Sequence, residues 1–277
     1  MRKETDVKLK KHIVFIVACL DVLLIVLSLT MGFSSEMCFY QTASHTPGTQ
    51  YGWYYMPRTD GQQPNENAEF AFVKNYKVLS LGSAEKKVIY ITFDAGYENG
   101  NAISILDTLK AHDAPAAFFL VGHYIKNNPE IVQRMVNEGH LVCSHSMNHK
   151  NMAAMTEFDQ FSKELTDLET LFYEQTGKKL AKFFRPPEGT FSETLLQYAQ
   201  QCGYTTVFWS FAYKDWYNDA QPSVEDAFNT IISRTHPGEI ALLHLTSKTN
   251  AQVLDSVLTE WEKMGYRFGS LNELAAD

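Results

Sequence analysis

From residue 88 onward the chain alternates short apolar runs with longer segments whose apolar residues recur every three or four positions. The short runs at 88–93, 116–121, 140–144, 182–185, 205–209, 239–244 and 266–268 predict strands. The periodic segments at 99–112, 126–138, 157–176, 192–202, 223–235 and 250–264 predict amphipathic helices. Gly139, Gly177, Gly203 and Gly265 follow four of them as stop signals. Alternating strands and helices imply an α/β fold with a parallel sheet and crossover helices. Seven strands suit a distorted, closed or nearly closed (β/α)7 barrel, with a doubly wound open sheet as the alternative. No GxGxxG follows the first strand and there is no Walker loop, so nucleotide readings lack their signature.

The first 34 residues follow a different pattern. Arg2, Lys3, Lys8, Lys10 and Lys11 precede an apolar run over 13–33, interrupted by Asp21. A basic head before such a run predicts an export segment, long enough to span a bilayer of about 20 residues. Asp21 costs that span about 2.5–3.5 kcal/mol. Basic flanks stay inside, so everything after Phe33 is expected outside the cytoplasmic membrane, as a secreted or a membrane-anchored protein. Residues 35–87 are rich in Gln, Asn, Thr, Gly, Pro and Tyr and predict an irregular lead-in packed on the barrel. Its Tyr51-Gly52-Trp53-Tyr54-Tyr55 is dense enough in aromatics to need a packing partner, or to stack on sugar rings. Residues 88–277 form the remaining domain.

Charge changes the picture in one respect. The 24 basic and 32 acidic residues give a net charge of −8, which argues against nucleic acid as a partner. Without residues 1–34 the count is 19 against 29, or −10, so bulk charge does not attract an anionic polymer either. Of four cysteines, Cys38, Cys143 and Cys202 lie beyond the export segment, leaving room for one disulfide at most.

Sites in parallel α/β folds lie at the C-terminal ends of strands. At those ends stand Asp94, the pair His145 and His149, Arg185, Asp215-Trp216 and His244. Each has an ordinary reading. Asp94 suits a helix cap. Two histidines four apart suit one side of a helical turn and a divalent metal, a spacing that also arises by chance. Arg185 suits a surface loop, Asp215 a loop acid, and His244 a satisfied core histidine. Their convergence on one rim favours a catalytic site.

These residues, in this order, resemble the polysaccharide deacetylase family with its NodB-homology domain, over about 75–275. Thr92-Phe93-Asp94-Ala95-Gly96 follows the family's Thr-Phe-Asp-Asp-Gly except at Ala95. The remaining motifs are His145-Ser146-Met147-Asn148-His149, Arg185-Pro186-Pro187, Asp215-Trp216 and Leu242-Leu243-His244. The lead-in aromatics, Val207-Phe208-Trp209-Ser210 and His236-Pro237-Gly238 resemble, more narrowly, the sporulation branch that deacetylates muramic acid.

The resemblance implies a barrel of the NodB type and metal-assisted amide hydrolysis. Asp94 is then the general base and Arg185 its charge partner. His145 and His149 hold a divalent ion, zinc being the expected one. His244 is the general acid, oriented by Asp215. Backbone N–H groups around Tyr97 bind the oxyanion, and Trp216 and Leu242 line the acetyl pocket. Ala95 replaces a family metal ligand, which implies a weakened, easily stripped metal. The implied substrate is N-acetylmuramic acid in peptidoglycan strands, after an amidase has removed stem peptides and before δ-lactam closure in spore cortex. Alternatives are an N-acetylglucosamine or chito-oligosaccharide deacetylase, a zinc hydrolase of small amides, and a glycan-binding relative without turnover.

Overall fold

The computed structural model describes residues 48–65 and 67–277; the expected export segment and Cys38 lie outside them. Ten strands are present among the described residues: β1 (Tyr51–Gly52), β2 (Val78–Leu79), β3 (Val88–Ala95), β4 (Ala116–Leu120), β5 (Leu141–Ser144), β6 (Ala181–Phe184), β7 (Thr190–Phe191), β8 (Thr205–Val207), β9 (Glu239–His244) and β10 (Arg267–Phe268). Eight form one parallel sheet in the order β10-β3-β4-β5-β6-β8-β2, with β9 also on β3. All eight residues of β3 are buried, because both faces of a parallel strand are covered. A lone parallel bridge from Phe211 to Ala241 ties the chain beyond β8 to β9. The sheet therefore curls into a distorted half-barrel whose last seam is a bridge and not a strand pair. The doubly wound alternative is excluded.

The helices are α1 (Ala102–Ala111), α2 (Gly122–Asn127), α3 (Pro129–Asn137), α4 (Phe158–Thr176), α5 (Glu193–Gln201), α6 (Val224–Arg234), α7 (Lys248–Lys263) and α8 (Leu271–Ala276). The helix expected over 126–138 is two helices broken at Asn128. Pro129 carries no N–H and disfavours helical geometry in the residue before it. On α1, Ala102, Ile105, Leu106 and Leu109 are buried, the three-and-four spacing of a core-facing stripe.

The lead-in is less irregular than its composition implies. Val78–Leu79 adds a parallel strand to β8, and Ala68–Asn75 forms a 3-10 helix capped by the Asn67 side chain. Phe70 and Val73 from that helix share a core cluster with Leu195, Leu196, Tyr204 and Phe208. Trp53 stacks on Phe208 with ring centroids 4.4 Å apart. The described lead-in falls in the same compact unit as the strands and helices that follow it. Cys143 and Cys202 are both free thiols. No helix among the described residues is long and apolar enough to cross a membrane.

Candidate active site

Asp94, His145, His149, Trp216, Leu242 and His244 all line one cleft of about 1120 Å³ at the C-terminal ends of the strands. Ala95 and Tyr97 line it too, as do Trp53, Tyr54 and Tyr55 from the lead-in.

Asp94 caps no helix. It sits inside β3, and its Oδ1 accepts from an Arg185 guanidinium nitrogen at 2.7 Å. Arg185 is fully buried rather than on a surface loop. Its other N–H groups donate to the carbonyls of Val207 (3.1 Å) and Phe208 (3.2 Å), and its plane lies 4.1 Å over the Phe119 ring. Burial alone pushes the Asp94 carboxyl up. The charges of Arg185, His145 and His244 outweigh it and hold the group below the usual carboxylate range.

The register of the sheet explains why acid and base candidates meet. Asp94 on β3 pairs directly with His244 on β9, so the two side chains leave the same face side by side. His244 Nδ1 lies 2.7 Å from Asp215 Oδ1, and its backbone N–H donates to Asp215 Oδ2, also at 2.7 Å. A carboxylate only accepts, so Nδ1 carries a proton and Nε2 is left for the cleft. Burial works against a charged imidazole at His244. Asp215, assisted by Asp94, overcomes it and raises the pKa above the ordinary histidine value. Asp215 is itself buried and takes a further N–H from Asn250 at 2.6 Å, while the Tyr213 hydroxyl donates to Asn250. Asn250 is a member of this network with no signal in the spacing of the motifs.

The segment over 145–149 is not a helical turn. Ser146 (φ 68°) and His149 (φ 53°) take left-handed backbone conformations, and the loop folds back on itself. His149 N–H donates to Ser146 Oγ at 2.9 Å, and Glu164 of α4 accepts from Asn148 N–H and Nδ2, both at 2.9 Å. Glu164 is buried and anchors the loop from outside every motif. Gly122 lets the loop approach the start of α2, since a Cβ there would lie 2.8 Å from the Met147 carbonyl. The result places the His145 and His149 rings 4.9 Å apart.

His145 Nδ1 donates to the Arg185 carbonyl at 2.8 Å, leaving a bare Nε2 lone pair 3.6 Å from Asp94 Oδ2. Burial pulls its pKa down to about 4, against the pull of Asp94, so the ring is neutral near pH 7. A neutral imidazole fixed through its other nitrogen is the form that ligates a metal. The pair thus fits two positions on a divalent ion. Ala95 offers only a buried methyl, and no group of three or more His, Cys, Asp or Glu among the described residues is arranged to hold one.

Tyr97 and Trp216 are exposed at the rim, and the Trp216 ring lies 5.6 Å from His244. Asn218 donates to the Tyr97 hydroxyl at 2.6 Å. Leu242 is buried beneath them. The lead-in aromatics divide their roles. Trp53 packs on Phe70 and Phe208 and donates to the Trp209 carbonyl at 2.8 Å, whereas Tyr54 stays exposed. Trp209 reaches the cleft because Gly189 has a positive φ (65°) and a Cβ there would strike the indole at 2.4 Å.

Comparison with known proteins agrees with this geometry. Residues 82–207 match the sequence profile of the polysaccharide deacetylase family. The chain is 37% identical to peptidoglycan-N-acetylmuramic acid deacetylase PdaA of Bacillus subtilis over 233 residues, 84% of this chain and 88% of that one. It is 33% identical over 194 residues to a peptidoglycan-N-acetylglucosamine deacetylase of Bacillus cereus, covering 68% and 88% of the two chains. The structure of Bacillus subtilis PdaA, a family 4 carbohydrate esterase, superposes with a TM-score of 0.80 over 83% of this chain and 98% of that chain. A family 4 carbohydrate esterase from Bacillus anthracis, 35% identical, gives 0.70 over 84% and 99%. Sequence, fold and the arrangement of Asp94, Arg185, Asp215 and His244 converge, and the chain belongs to the polysaccharide deacetylase family.

Proposed function

We propose that this protein hydrolyses the N-acetyl group of N-acetylmuramic acid in peptidoglycan strands whose stem peptides an amidase has removed. Condensation of the product amine with the lactyl carboxyl, with loss of water, then gives the muramic δ-lactam of spore cortex. The reaction takes place on the outer side of the cytoplasmic membrane, with residues 1–34 as export segment or anchor. The observation that carries this reading is the pair of oppositely polarised couples on adjacent strands. Arg185 favours ionised Asp94, and Asp215 favours protonated His244.

In this reading Asp94 takes a proton from the attacking water, and Arg185 keeps it ionised and oriented. His145 and His149 hold a divalent ion, zinc in the family pattern. When bound, that ion supplies Lewis-acid polarisation of the amide carbonyl. Backbone N–H groups at Tyr97 serve the oxyanion. Trp216 and Leu242 enclose the acetyl methyl. His244 gives its Nε2 proton to the leaving nitrogen.

The direct test is acetate release from glycan strands with and without stem peptides, with mass spectrometry of the sugars. Deacetylated muramic acid in the peptide-free strands is the expected product. Acetate drawn from N-acetylglucosamine instead, or no acetate at all, would refute the reading.

The two couples also set a pH dependence. His244 must be protonated to act, and its raised pKa places the alkaline limb of kcat/KM above the ordinary imidazole range. Asp215→Asn removes the charge that raises it, so the alkaline limb moves to lower pH. An unmoved limb in D215N would separate that limb from His244.

A further inference from the structure

The cleft does not end at the catalytic rim. Beyond the catalytic groups it is also lined by Pro222, by Thr230 and Arg234 of α6, and by Tyr55, Pro57 and Ala212. Thr230 and Arg234 are four residues apart and share one face of the helix. Along the axis of α6 they lie one turn, about 6 Å, apart. The whole cavity also exceeds the ~300–1,000 Å³ of an ordinary small-ligand site.

The guanidinium at its end is unusual in this molecule. Among the described residues Arg58 pairs with Asp60, Arg134 with Asp107 and Glu138, Arg185 with Asp94, and Arg267 with Glu273. Arg234 is the remaining arginine. It is half-buried in the cleft wall, and no described carboxylate pairs with its side chain. A second cation, Lys214, lines the same cleft. A half-buried, unpaired guanidinium is poised to take a carboxylate from outside, in the two-pronged geometry that arginine offers and lysine does not.

We propose that this extension is a second subsite of the glycan strand, and that Arg234 recognises there the carboxylate of a neighbouring acidic sugar. It rests on the reading of peptidoglycan as substrate and adds to it a point of specificity away from the reacting sugar. It also answers the charge problem, since a chain of net charge −8 must hold an anionic polymer through local cations. The competing role for Arg234 is to offset the dipole at the C-terminus of α6, where it is the basic residue of the last turn. That role involves no substrate carboxylate.

The test is the Kd of full-length wild-type and R234Q protein for stem-peptide-free glycan oligomers of several repeats. The same oligomers with their lactyl carboxyls converted to neutral amides serve as the comparison. The expected result is about a tenfold weaker Kd in R234Q for the carboxylate form, and a far smaller change for the amide form. Arg234→Lys is expected to recover part of the loss. Equal losses on both oligomers, or no loss on either, would overturn the subsite and leave the dipole role. Because binding and acetate release are separate readouts, failure of the wild type to release acetate from muramic acid would count against the proposed reaction alone.

Discussion

Asp94→Asn is expected to reduce kcat about a thousandfold, within the range that general acid–base catalysis contributes. Asparagine keeps the shape of the side chain, and its oxygen can still accept the 2.7 Å bond from Arg185. What it loses is the negative charge and the capacity to take a proton from water. The same charge also supports protonated His244 on the adjacent strand, so the alkaline limb of the residual activity should fall slightly as well. The measurement is acetate release under saturating glycan, alongside Kd for the same oligomer and thermal unfolding. A large loss of kcat with a much smaller change in Kd places Asp94 at the chemical step. A kcat within tenfold of the wild type would remove it from the role of base. A glycan-binding relative without turnover would have no rate to lose, so the wild-type arm decides that alternative too.

The strands and their order of chemistry were legible because apolar runs ending in Asp, His or Arg recur at intervals that only a parallel α/β fold explains. Asp94, Arg185, Asp215 and His244 do converge. Their partnerships were less legible. The Asp94–His244 adjacency is a matter of register between strands about 150 residues apart, and register leaves no trace in either segment alone. For the loop carrying His145 and His149, spacing by four suits a helical turn, which the structure does not form. Left-handed backbone at Ser146 and His149 reaches a similar ring separation by another route. Glu164 and Asn250 leave no sequence signal because each acts through hydrogen bonds made only in the fold, and neither stands at a strand end. The regularity of the lead-in is hidden for a related reason. Strand β2 is two residues long, too short for alternation to appear.

Arg185→Met is expected to cost stability as well as activity, and the pH dependence of that cost identifies its cause. Methionine retains an apolar stem against Phe119 but removes the charge facing Asp94 and the donors to the Val207 and Phe208 carbonyls. Breaking a buried pair by deleting one partner costs about 3–5 kcal/mol, because the other charge is left uncompensated. In the wild type the folded-state pKa of Asp94 is depressed. Its contribution is therefore fully present above the unfolded carboxylate pKa and is lost as pH falls through the folded value. In the variant burial dominates and the pKa is raised, so the sign reverses. The charged form is penalised at neutral pH, and protonation relieves the penalty. The gap between wild type and R185M, measured by denaturant unfolding, should be widest near neutral pH and narrow on acidification. Arg185→Lys should recover only part of it, since an ammonium cannot reach the carboxylate and both carbonyls at once. A gap of constant size across the acid range would mean that the loss is one of packing and carbonyl bonding, with no part played by the Asp94 charge.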